Sequence, residues 1–450
     1  MKNIILLSLI ITFISCDTKT TNDNDFNIES VKDAVIYEVN IRQYSKSGTF
    51  NEFTEDIPKI KELGVKILWL MPIHPISKKN RKGELGSYYS ISDYKKVNPE
   101  FGNKEDLDKL IETAHQNEMY VIFDWVANHT GWNHPWIKNN PEYYTKNDKG
   151  EITDPINPDT GKPWGWKDVA DLNFENLEMQ NEMIEAMEYW VREHDIDGYR
   201  ADAAHSCPAS FWEKAIIRLN NIKKVFMLAE SDGYHTGGFE LVELFDMSYG
   251  WPGHHVMNRI ASGENNVNDL INNIKENSNS YSKNHILMNF TSNHDENSWG
   301  GTVFERLGKG VKNLSALTYF IPGMPLLYNG QEYGLNKRLQ FFEKDYIPKL
   351  ENEYFDFYKK LSKIKQEQKA LHLTSNQSFE NIETSNSNVV LFKREYEEEK
   401  IYFLSNLSNK TETIKPFIIG RYKSLLNESI INFDISYELK PWEFHFLIKI

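Results

Sequence analysis

Eight short apolar runs, separated by amphipathic stretches, set the organisation of the chain from about residue 33 onward. The runs have the length of β-strands, and the stretches between them repeat apolar residues with the period of a helix. Strands that alternate with helices are typical of a parallel sheet covered by helices, and a closed (β/α)₈ barrel requires eight of them. The predicted barrel strands are residues 35–41, 67–71, 120–125, 198–201, 225–229, 244–247, 286–290 and 324–328.

Two segments depart from this alternation. Residues 130–176, after the third strand, are rich in Gly, Pro, Trp and Asn. Because long loops inside compact domains are usually functional, we interpret this segment as an inserted subdomain that forms one wall of a cleft at the carboxyl end of the barrel. From residue 369 the chain changes to short β-type runs separated by turn residues. We therefore predict a barrel over residues 33–368 and an antiparallel β-sandwich over residues 369–450.

The first residues have the pattern of an export signal. Lys2 is followed by an almost continuously apolar run over residues 4–14, which is too short to span a bilayer permanently. The run ends in the sequence FISC, which resembles a bacterial lipobox, whose cysteine is lipidated after cleavage. We predict that residues 1–15 are removed, that lipidated Cys16 anchors an exported protein in the cell envelope, and that residues 16–32 form a flexible tether. The alternative is a plain secretory signal cut nearby.

Composition restricts the partners of the chain. With 51 Lys and Arg against 65 Asp and Glu, the net charge of −14 argues against a nucleic acid, because binding phosphates needs a basic surface. Aromatic residues make up 13% of the chain, including 11 Trp and 23 Tyr. Sugar rings pack their flat faces on aromatic rings, although packing within the protein accounts for most of these residues. Composition is therefore compatible with a carbohydrate partner and leaves the oligomeric state open.

Polar side chains follow four of the predicted strands at the point where each ends. The carboxyl ends of parallel barrel strands meet at one rim, where the active sites of such barrels are built. One strand that ends in a polar residue is unremarkable, but four at the same rim indicate a shared pocket, in which burial and mutual charge separate pKa values. These residues are Asp124, Asn128 and His129 after the third strand, Arg200 and Asp202 on the fourth, Glu230 after the fifth, and His294 and Asp295 after the seventh.

A pocket with several carboxyl groups suits one reaction class best. Retaining glycosidases flank the scissile bond with two carboxyl groups, one acting as nucleophile and the other as general acid and then base. A metal-dependent hydrolase is an alternative that could use His129 and His294, but the sequence has no HExxH-like spacing. It also lacks the GxSxG motif of a serine nucleophile and a glycine loop that would cradle phosphate.

Six motifs, in order along the chain, carry a family resemblance. They are YYSISDY at 88–94, FDWVANH at 123–129, VADLNF at 169–174, GYRADAA at 198–204, LAE at 228–230 and FTSNHD at 290–295. With these motifs the chain resembles the α-amylase family, glycoside hydrolase family 13, over residues 33–450. The resemblance implies an α/β fold with a (β/α)₈ TIM barrel, a C-terminal β-domain, and cleavage of α-glucosidic bonds.

The resemblance also implies a role for each carboxylate. Asp202 matches the family's nucleophile, Glu230 matches the general acid/base, and Asp295 matches the carboxylate that binds sugar hydroxyls and stabilises the transition state. Arg200, two residues before Asp202 and so on the same strand face, would keep that aspartate ionised. Asp124 would hold the architecture of the site.

Substrate-binding positions carry over in the same way. His129 and His294 match donors of hydrogen bonds to the sugar at the cleavage point, and Tyr89 matches the aromatic platform beneath that sugar. For these three residues, packing in the core is the alternative. His205 stands where many amylases place a substrate-binding Lys. The implied substrate-binding set is therefore Tyr89, His129, Arg200, His205 and His294.

A structural Ca²⁺ is a further implication of the resemblance. Many family members hold this ion between the inserted subdomain and the barrel with oxygen ligands, as a hard cation prefers. Asn128 and Asp171 stand at matching positions. The family's third ligand, a histidine that acts through its backbone carbonyl, is replaced by Ser206 here. The expected metal ligands are Asn128, Asp171 and Ser206, and no other cofactor is expected.

Three functions are compatible with these residues. The first is a hydrolase that cleaves mainly α-1,4 bonds of starch-like glucans or maltooligosaccharides by double displacement. The second is a 4-α-glucanotransferase, in which a sugar instead of water intercepts the covalent intermediate. The third, a glycan-binding lipoprotein without catalysis, would normally have lost a catalytic carboxylate, and all three are present. The sequence therefore favours the first function.

Overall fold

Eight parallel strands form a closed barrel in the computed structural model, which describes residues 25–373, 378–415, 418–434 and 436–450. Each strand pairs with the strands before and after it in the chain, and the last pairs with the first. The predicted fold class is thereby confirmed. The barrel strands are Val35–Val39, Val65–Leu70, Tyr120–Trp125, Gly198–Ala201, Phe226–Ala229, Met247–Tyr249, Ile286–Asn289 and Met324–Tyr328.

Helices connect the strands and cover the outside of the barrel. Helix Lys104–Gln116 shows how the sequence fixes such an element, because Asn103 and Asp106 form a capping box at its start. Within the described ranges, no helix is both long and apolar enough to cross a membrane. The α-helices are Ile41–Tyr44, Phe50–Lys61, Lys104–Gln116, Trp136–Asn139, Leu177–His194, Ala209–Asn220, Gly238–Val242, Trp251–Ser262, Val267–Ser280, Val303–Leu307, Val311–Phe320 and Glu353–Glu367.

The sixth strand differs from its predicted position. Residues 244–247 were expected to be extended, but the strand is Met247–Tyr249. The apolar Leu244 and Phe245 instead close the turn after the short helix Gly238–Val242, where their backbone N–H groups donate to carbonyls of that helix. An apolar run alone does not distinguish a buried turn from a strand, so the predicted strand began before the observed one.

Residues just before the barrel close its amino-terminal mouth. The predicted signal peptide and Cys16 lie outside the described residues, but the tether predicted over residues 16–32 does not hold for its last part. Phe26 is 2% exposed and packs against the rings of Tyr120 and Phe226, with centroids 5.1 and 5.0 Å apart. Its backbone N–H donates to the carbonyl of Lys224 at 3.0 Å. The apolar side chain therefore fixes a segment whose polar neighbours suggested flexibility.

The inserted segment begins and ends in a small antiparallel pair of strands. His129–Gly131 pairs with Val169–Asp171, so both ends of the insertion are held at the carboxyl rim of the barrel. Between them lie the short helix Trp136–Asn139 and a single 3₁₀ turn, Pro141–Tyr143. The insertion therefore stands beside the rim, as a wall of the cleft described below.

The C-terminal region is antiparallel, as predicted. A sheet of six strands has the order Ser378–Ile382, Val389–Tyr396, Glu399–Asn406, Phe444–Lys449, Gly420–Ser424 and Ile430–Phe433, and Glu412–Ile414 pairs separately with Tyr437–Leu439. The amide of Asn313, on helix Val311–Phe320, donates to the carbonyls of Asn406 and Trp442 at 3.1 Å. These buried hydrogen bonds attach the sheet to the barrel.

Candidate active site

Three carboxylates lie together at the carboxyl rim of the barrel. Asp202 and Glu230 directly follow the fourth and fifth strands, and their backbone N–H groups still bond to the neighbouring strands, at 2.9 Å to Trp125 and 3.0 Å to Ala201. Asp295 follows the seventh strand. All three line one cleft of about 700 Å³. The residues that the sequence singled out as a reactive set are therefore assembled in one place.

Arg200 lies beneath the carboxylates and joins them. Its Nη1 donates to Asp124 at 2.7 Å and to Asp202 at 2.8 Å, while its Nη2 lies 2.8 Å from Oε2 of Glu230. The register of the third and fourth strands explains the first contact, because Asp124 and Arg200 are Cα partners. Arg200 is fully buried. Its expected place among the substrate-binding residues is thus not supported, since the guanidinium reaches carboxylates and not the cleft.

Of the three carboxylates that contact Arg200, Asp202 and Glu230 have pKa values shifted in opposite directions. Burial raises the pKa of Asp202 well above its usual range, although Arg200 opposes this effect. Burial also acts to raise the pKa of Glu230, but the charge of Arg200 and the N–H of Ala203, which donates at 2.7 Å, leave it below the usual value. The same guanidinium therefore opposes the effect of burial at both carboxylates, and it does so more completely at Glu230.

Tyr89 and His294 form one side of the cleft. The Tyr89 hydroxyl donates to Oδ2 of Asp124 at 3.0 Å and lies 2.8 Å from Nε2 of His294. The same nitrogen lies 3.3 Å from Oδ2 of Asp295. Both rings line the cleft, where they also stack with centroids 5.5 Å apart. The structure thus places the predicted platform and the predicted donor next to each other.

His129 is buried at the base of the insertion, at the start of strand His129–Gly131. Burial lowers its pKa to about 4, so the imidazole is neutral at neutral pH and can donate one hydrogen bond. Its ring lies 6.0 Å from that of Trp166, and both line the cleft. The location agrees with a residue that faces the reacting sugar.

His205 has neighbours that the sequence did not single out. Its ring centroid lies 4.8 Å from that of His235, whose Nδ1 is 2.7 Å from Asp232. All three residues line the cleft on the side of Glu230. His235 and Asp232 lie beyond the end of the fifth strand, in a loop without strand-like pattern, so only the proximity of Asp232 to Glu230 in the chain could have indicated them.

Aromatic side chains form both walls of the cleft. On the insertion, the rings of Trp164 and Trp166 stack at 5.2 Å with an interplanar angle of 7°. On the other wall, Trp299 lies 5.4 Å from Phe341, whose ring is nearly parallel to that of Tyr89. Trp299 is 58% exposed, which is unusual for so large an apolar ring. Sequence reasoning missed Trp299 and Phe341, because the short segments that carry them show no hydrophobic repeat typical of a strand or a helix.

The expected calcium ligands lie at the base of the insertion. His129, next to Asn128 in the chain, is the strand partner of Asp171, and Ser206 follows the fourth strand. Asp171 is 6% exposed, and burial raises its pKa to about 7. Its carboxylate would gain from a nearby cation. In the described part of the chain, however, no three His, Cys, Asp or Glu side chains converge as a metal site. A cation here would depend on amide and backbone oxygens as well.

Comparison with known proteins agrees with this geometry. Residues 17–227 match the alpha-amylase catalytic domain. Alpha-amylase 3 of Dictyoglomus thermophilum is 25% identical over 92% of this chain and 91% of its own length. An alpha-amylase structure from Lactobacillus plantarum superposes with a TM-score of 0.84, at 27% identity, over 93% of this chain and 99% of that one. A noncanonic maltogenic alpha-amylase from Thermotoga neapolitana gives 0.82, with the same identity and the same two shares.

The closed barrel, its carboxylate rim and these similarities define the class of protein as a TIM-barrel glycoside hydrolase. Within that class, the chain is similar to the alpha-amylases, whose catalytic domain matches residues 17–227.

Proposed function

We propose that this enzyme hydrolyses mainly α-1,4 bonds of starch-like glucans or maltooligosaccharides with retention of configuration, and that Asp202 carries the covalent intermediate. The observation that supports it best is the assembly of Asp202, Glu230 and Asp295 in one cleft, with Arg200 bound to the first two. Two carboxyl groups that share a buried cation, with a third nearby, suit a reaction in which positive charge develops on a sugar ring.

The reaction proceeds in two displacements. In the first, an Asp202 oxygen bonds to the anomeric carbon while Glu230 gives its proton to the glycosidic oxygen, and the bond to the leaving sugar breaks. In the second, Glu230 takes a proton from water, the resulting oxygen bonds to the same carbon, and Asp202 is released as carboxylate. Glu230 thus returns to its protonated form, and the product keeps its original configuration.

Substrate binding must favour a protonated Glu230 beside an ionised Asp202. The Glu230 carboxylate lies 2.8 Å from Nη2 of Arg200, whose charge favours the ionised form of Glu230. Catalysis requires Asp202 ionised and Glu230 protonated. A sugar oxygen that accepts a hydrogen bond from Glu230 would draw it from Arg200, and the guanidinium would then stabilise Asp202 alone. Binding of the substrate thereby prepares the acid and the nucleophile together.

The remaining side chains hold the sugar. His129 donates to a hydroxyl as a neutral ring, and Tyr89 supplies the apolar surface beneath the sugar. Asp295, whose side chain is 38% exposed, accepts from the hydroxyls. The aromatic rings on both walls extend this surface away from the carboxylates, which supports a substrate of several sugar units.

Chemical rescue tests the two catalytic roles separately. Asp202→Ala and Glu230→Ala are assayed with an activated α-glucosyl substrate and azide. Azide should attack the substrate directly in Asp202→Ala and give a β-glycosyl azide, whereas in Glu230→Ala it should attack the covalent intermediate and give the α-anomer. Reversed anomers would exchange the two roles, and full activity of either variant with starch would overturn the proposal.

The reaction products show whether water or a sugar is the acceptor, and which glucosidic bond is preferred. Time courses on starch, pullulan, cyclodextrin and maltoheptaose separate hydrolysis from transfer. Hydrolysis of maltoheptaose should release only shorter sugars from the start. Early appearance of longer sugars would instead identify the enzyme as a glucanotransferase.

We propose in addition that a structural Ca²⁺ binds at the base of the insertion, with Asn128, Asp171 and the backbone of Ser206 as ligands. The support is Asp171, a buried carboxylate whose pKa burial raises to about 7. An ion there would link the insertion to the rim and neutralise that charge. It would take no part in the two displacements.

Export and lipid anchoring are likewise proposals, supported by the sequence FISC after an apolar run. The test is incorporation of a labelled fatty acid by bacteria that produce the full chain. Label should enter the protein and be lost in Cys16→Ser, which should leave the membrane fraction. Absence of label in the unaltered protein would favour a plain secretory signal.

A further inference from the structure

A carboxylate on the first barrel strand is buried behind the active site. Glu38 is 0% exposed, and its Oε1 contacts Nδ1 of His294 in a short hydrogen bond. We propose that Glu38 is a positioning residue that holds His294 doubly protonated and thereby fixes the direction of a hydrogen-bond chain that ends at Asp202. The effect of Glu38 on activity rests on the proposed function, whereas its effect on the protonation of His294 does not.

The chain can be followed atom by atom. From Glu38 it passes through the ring of His294 to the hydroxyl of Tyr89, 2.8 Å from Nε2. The hydroxyl lies 3.0 Å from Oδ2 of Asp124. Oδ1 of Asp124 accepts from Nη1 of Arg200, which also donates to the nucleophile. Four side chains therefore connect Glu38 to Asp202 without a gap.

Asp124 sets the direction of this chain. Its two oxygens are surrounded by donors, namely Arg200 at 2.7 Å and the indole N–H of Trp69 at 3.2 Å, in addition to Tyr89. An indole N–H and a guanidinium can only donate. Burial raises the pKa of Asp124, but the charge of Arg200 opposes this effect, and each oxygen of Asp124 already accepts from one of these two obligate donors, which favours the carboxylate. The ionised Asp124 accepts the hydrogen bond that the Tyr89 hydroxyl donates.

The single proton of Tyr89 then determines the state of His294. Because the hydroxyl donates to Asp124, its oxygen must accept from Nε2–H of the ring. The proton between Nδ1 and Glu38 also belongs to the ring, because a carboxylic acid is the stronger acid by about two pKa units. Asp295, 3.3 Å from Nε2, favours the charged ring further. Both nitrogens thus donate, and His294 is an imidazolium.

The charges around His294 agree with a ring that carries a proton on both nitrogens. Burial alone would lower its pKa, but Asp295 and Glu38 outweigh burial and the opposing charge of Arg200, and raise it to about 9. For Glu38, burial raises the pKa, and His294 opposes that shift. Asp124, Glu230 and the hydroxyls of Tyr89, Tyr249 and Tyr328 are further ionisable groups that face this region. The ring is therefore charged below pH about 9 and neutral above it.

Loss of the ring proton would reverse part of the chain. A neutral His294 would keep its proton on Nδ1 and donate it in a hydrogen bond to Glu38. Its Nε2 would then accept a hydrogen bond from the Tyr89 hydroxyl. Asp124 would then lose a donor and compete more strongly with Asp202 for Nη1 of Arg200. Glu38 thus reaches the nucleophile through the hydrogen-bond network and never touches the sugar.

Glu38→Gln tests this inference, with Glu332→Gln as its matched control. Glu332 is another fully buried carboxylate of the barrel, after the eighth strand, and it accepts from Tyr37 and from the N–H of Gly330. Both substitutions replace a buried carboxyl group by an amide of nearly the same shape. Only Glu38→Gln removes a partner of His294, whereas Glu332→Gln should reduce stability alone.

The readout is the titration of His294 by NMR of histidine-labelled protein, assigned by comparison with His294→Gln. In the unaltered protein this ring should titrate near pH 9, and in Glu38→Gln about one to three pH units lower. The alkaline limb of the kcat/KM profile should move by the same amount, and Glu38→Asp, which keeps the charge, should restore most of it. Glu332→Gln should leave both in place.

Two results would overturn the inference. One is a His294 that is neutral at pH 7 in the unaltered protein, which decides the matter even if Glu38→Gln does not fold. The other is an unchanged titration of His294 in Glu38→Gln. The NMR experiment needs no activity, so an expected titration in a protein that does not cleave α-glucans would count against the proposed function alone.

Discussion

Nη2 of Arg200 lies 2.8 Å from Oε2 of Glu230, so the group proposed as general acid rests against a buried positive charge. The same guanidinium also holds the proposed nucleophile at 2.8 Å. One planar group with donors in fixed directions therefore controls the spacing and the protonation of both carboxylates. This arrangement explains why an arginine, and not a lysine, suits this position.

Arg200→Lys should separate charge from geometry at this position. A lysine keeps the positive charge but has one ammonium group, which cannot reach Asp124, Asp202 and Glu230 together. We expect a folded protein whose kcat falls about a hundredfold or more, because small displacements of catalytic groups cost that much. Steady-state kinetics with maltoheptaose measures the effect.

The control for this change is Arg218→Lys. Arg218 pairs with Glu188 between two outer helices and is partly exposed. Its replacement should leave kcat unaltered. If Arg200→Lys were as active as Arg218→Lys, the fork geometry of Arg200 would be irrelevant to the reaction.

Buried histidines should make the protein less stable in mild acid. Burial lowers the pKa of four histidines to about 3 or 4. Below pH 6.5 the unfolded chain binds protons at these positions and the folded protein does not, so the free energy of unfolding falls as pH decreases from 6.5 towards 4. Each histidine contributes up to about 1.4 kcal/mol per pH unit. The four residues are His74, His129, His134 and His285.

Urea unfolding at pH 7, 6 and 5 checks this slope, and His134→Asn should reduce it by about one proton. His294 acts with the opposite sign. Since its folded pKa is raised to about 9, its stabilisation is complete below pH 6.5 and is lost as pH rises to about 9. A slope in His134→Asn that equals the slope of the unaltered protein would show that this ring is not buried as a neutral group.

The barrel could be predicted from the sequence because each strand is a continuous apolar run buried on both faces. The carboxylates could be predicted because Asp202 and Glu230 directly follow such runs. Glu38 was missed although the sequence contains a signal for it. It lies in the middle of a fully buried strand, two residues after the inward-facing Ile36, and a charged residue at that position needs a partner.

Other features depend on tertiary structure and have no local signal. His235 lies in a loop and Trp299 in the single-turn π-helix Glu296–Gly300, and neither segment has a hydrophobic repeat that marks its place in the cleft. In the C-terminal domain, Gly420–Ser424 alternates buried and exposed residues over too few positions to stand out from turns. Phe26 is a single apolar residue in a polar stretch, and only the open mouth of the barrel gives it a place to pack.

Trp299→Ala should affect long substrates and not short ones. The ring lines the cleft, is 58% exposed and packs beside Phe341, so we expect it to contact a sugar beyond the reacting one. Stacking of one sugar on an indole face is worth about 1 kcal/mol, which corresponds to a several-fold loss. We expect kcat/KM to fall by this factor with maltoheptaose and to be unaltered with a short aryl maltoside.

Tyr346→Ala serves as the control for an exposed ring. Tyr346 is 47% exposed and is not among the residues that line the cleft. It should leave both substrates unaffected. An equal loss with both substrates in Trp299→Ala would mean that the tryptophan shapes the site and does not bind a distant sugar.

Removal of divalent cations should destabilise the protein if Asp171 holds Ca²⁺. Excess EDTA should lower Tm, and added Ca²⁺, but not Mg²⁺, should restore it, because an irregular set of oxygen ligands suits the larger ion. A ligand at a hundred times its Kd stabilises the folded state by about 2.7 kcal/mol. For Asp171→Asn we expect a Tm that no longer responds to EDTA. The opposite pattern, an unaltered protein whose Tm ignores EDTA and an Asp171→Asn variant that is more stable at pH 7, would show that the carboxylate is simply buried. In that case its pKa of about 7 would reflect a proton in place of a metal ion.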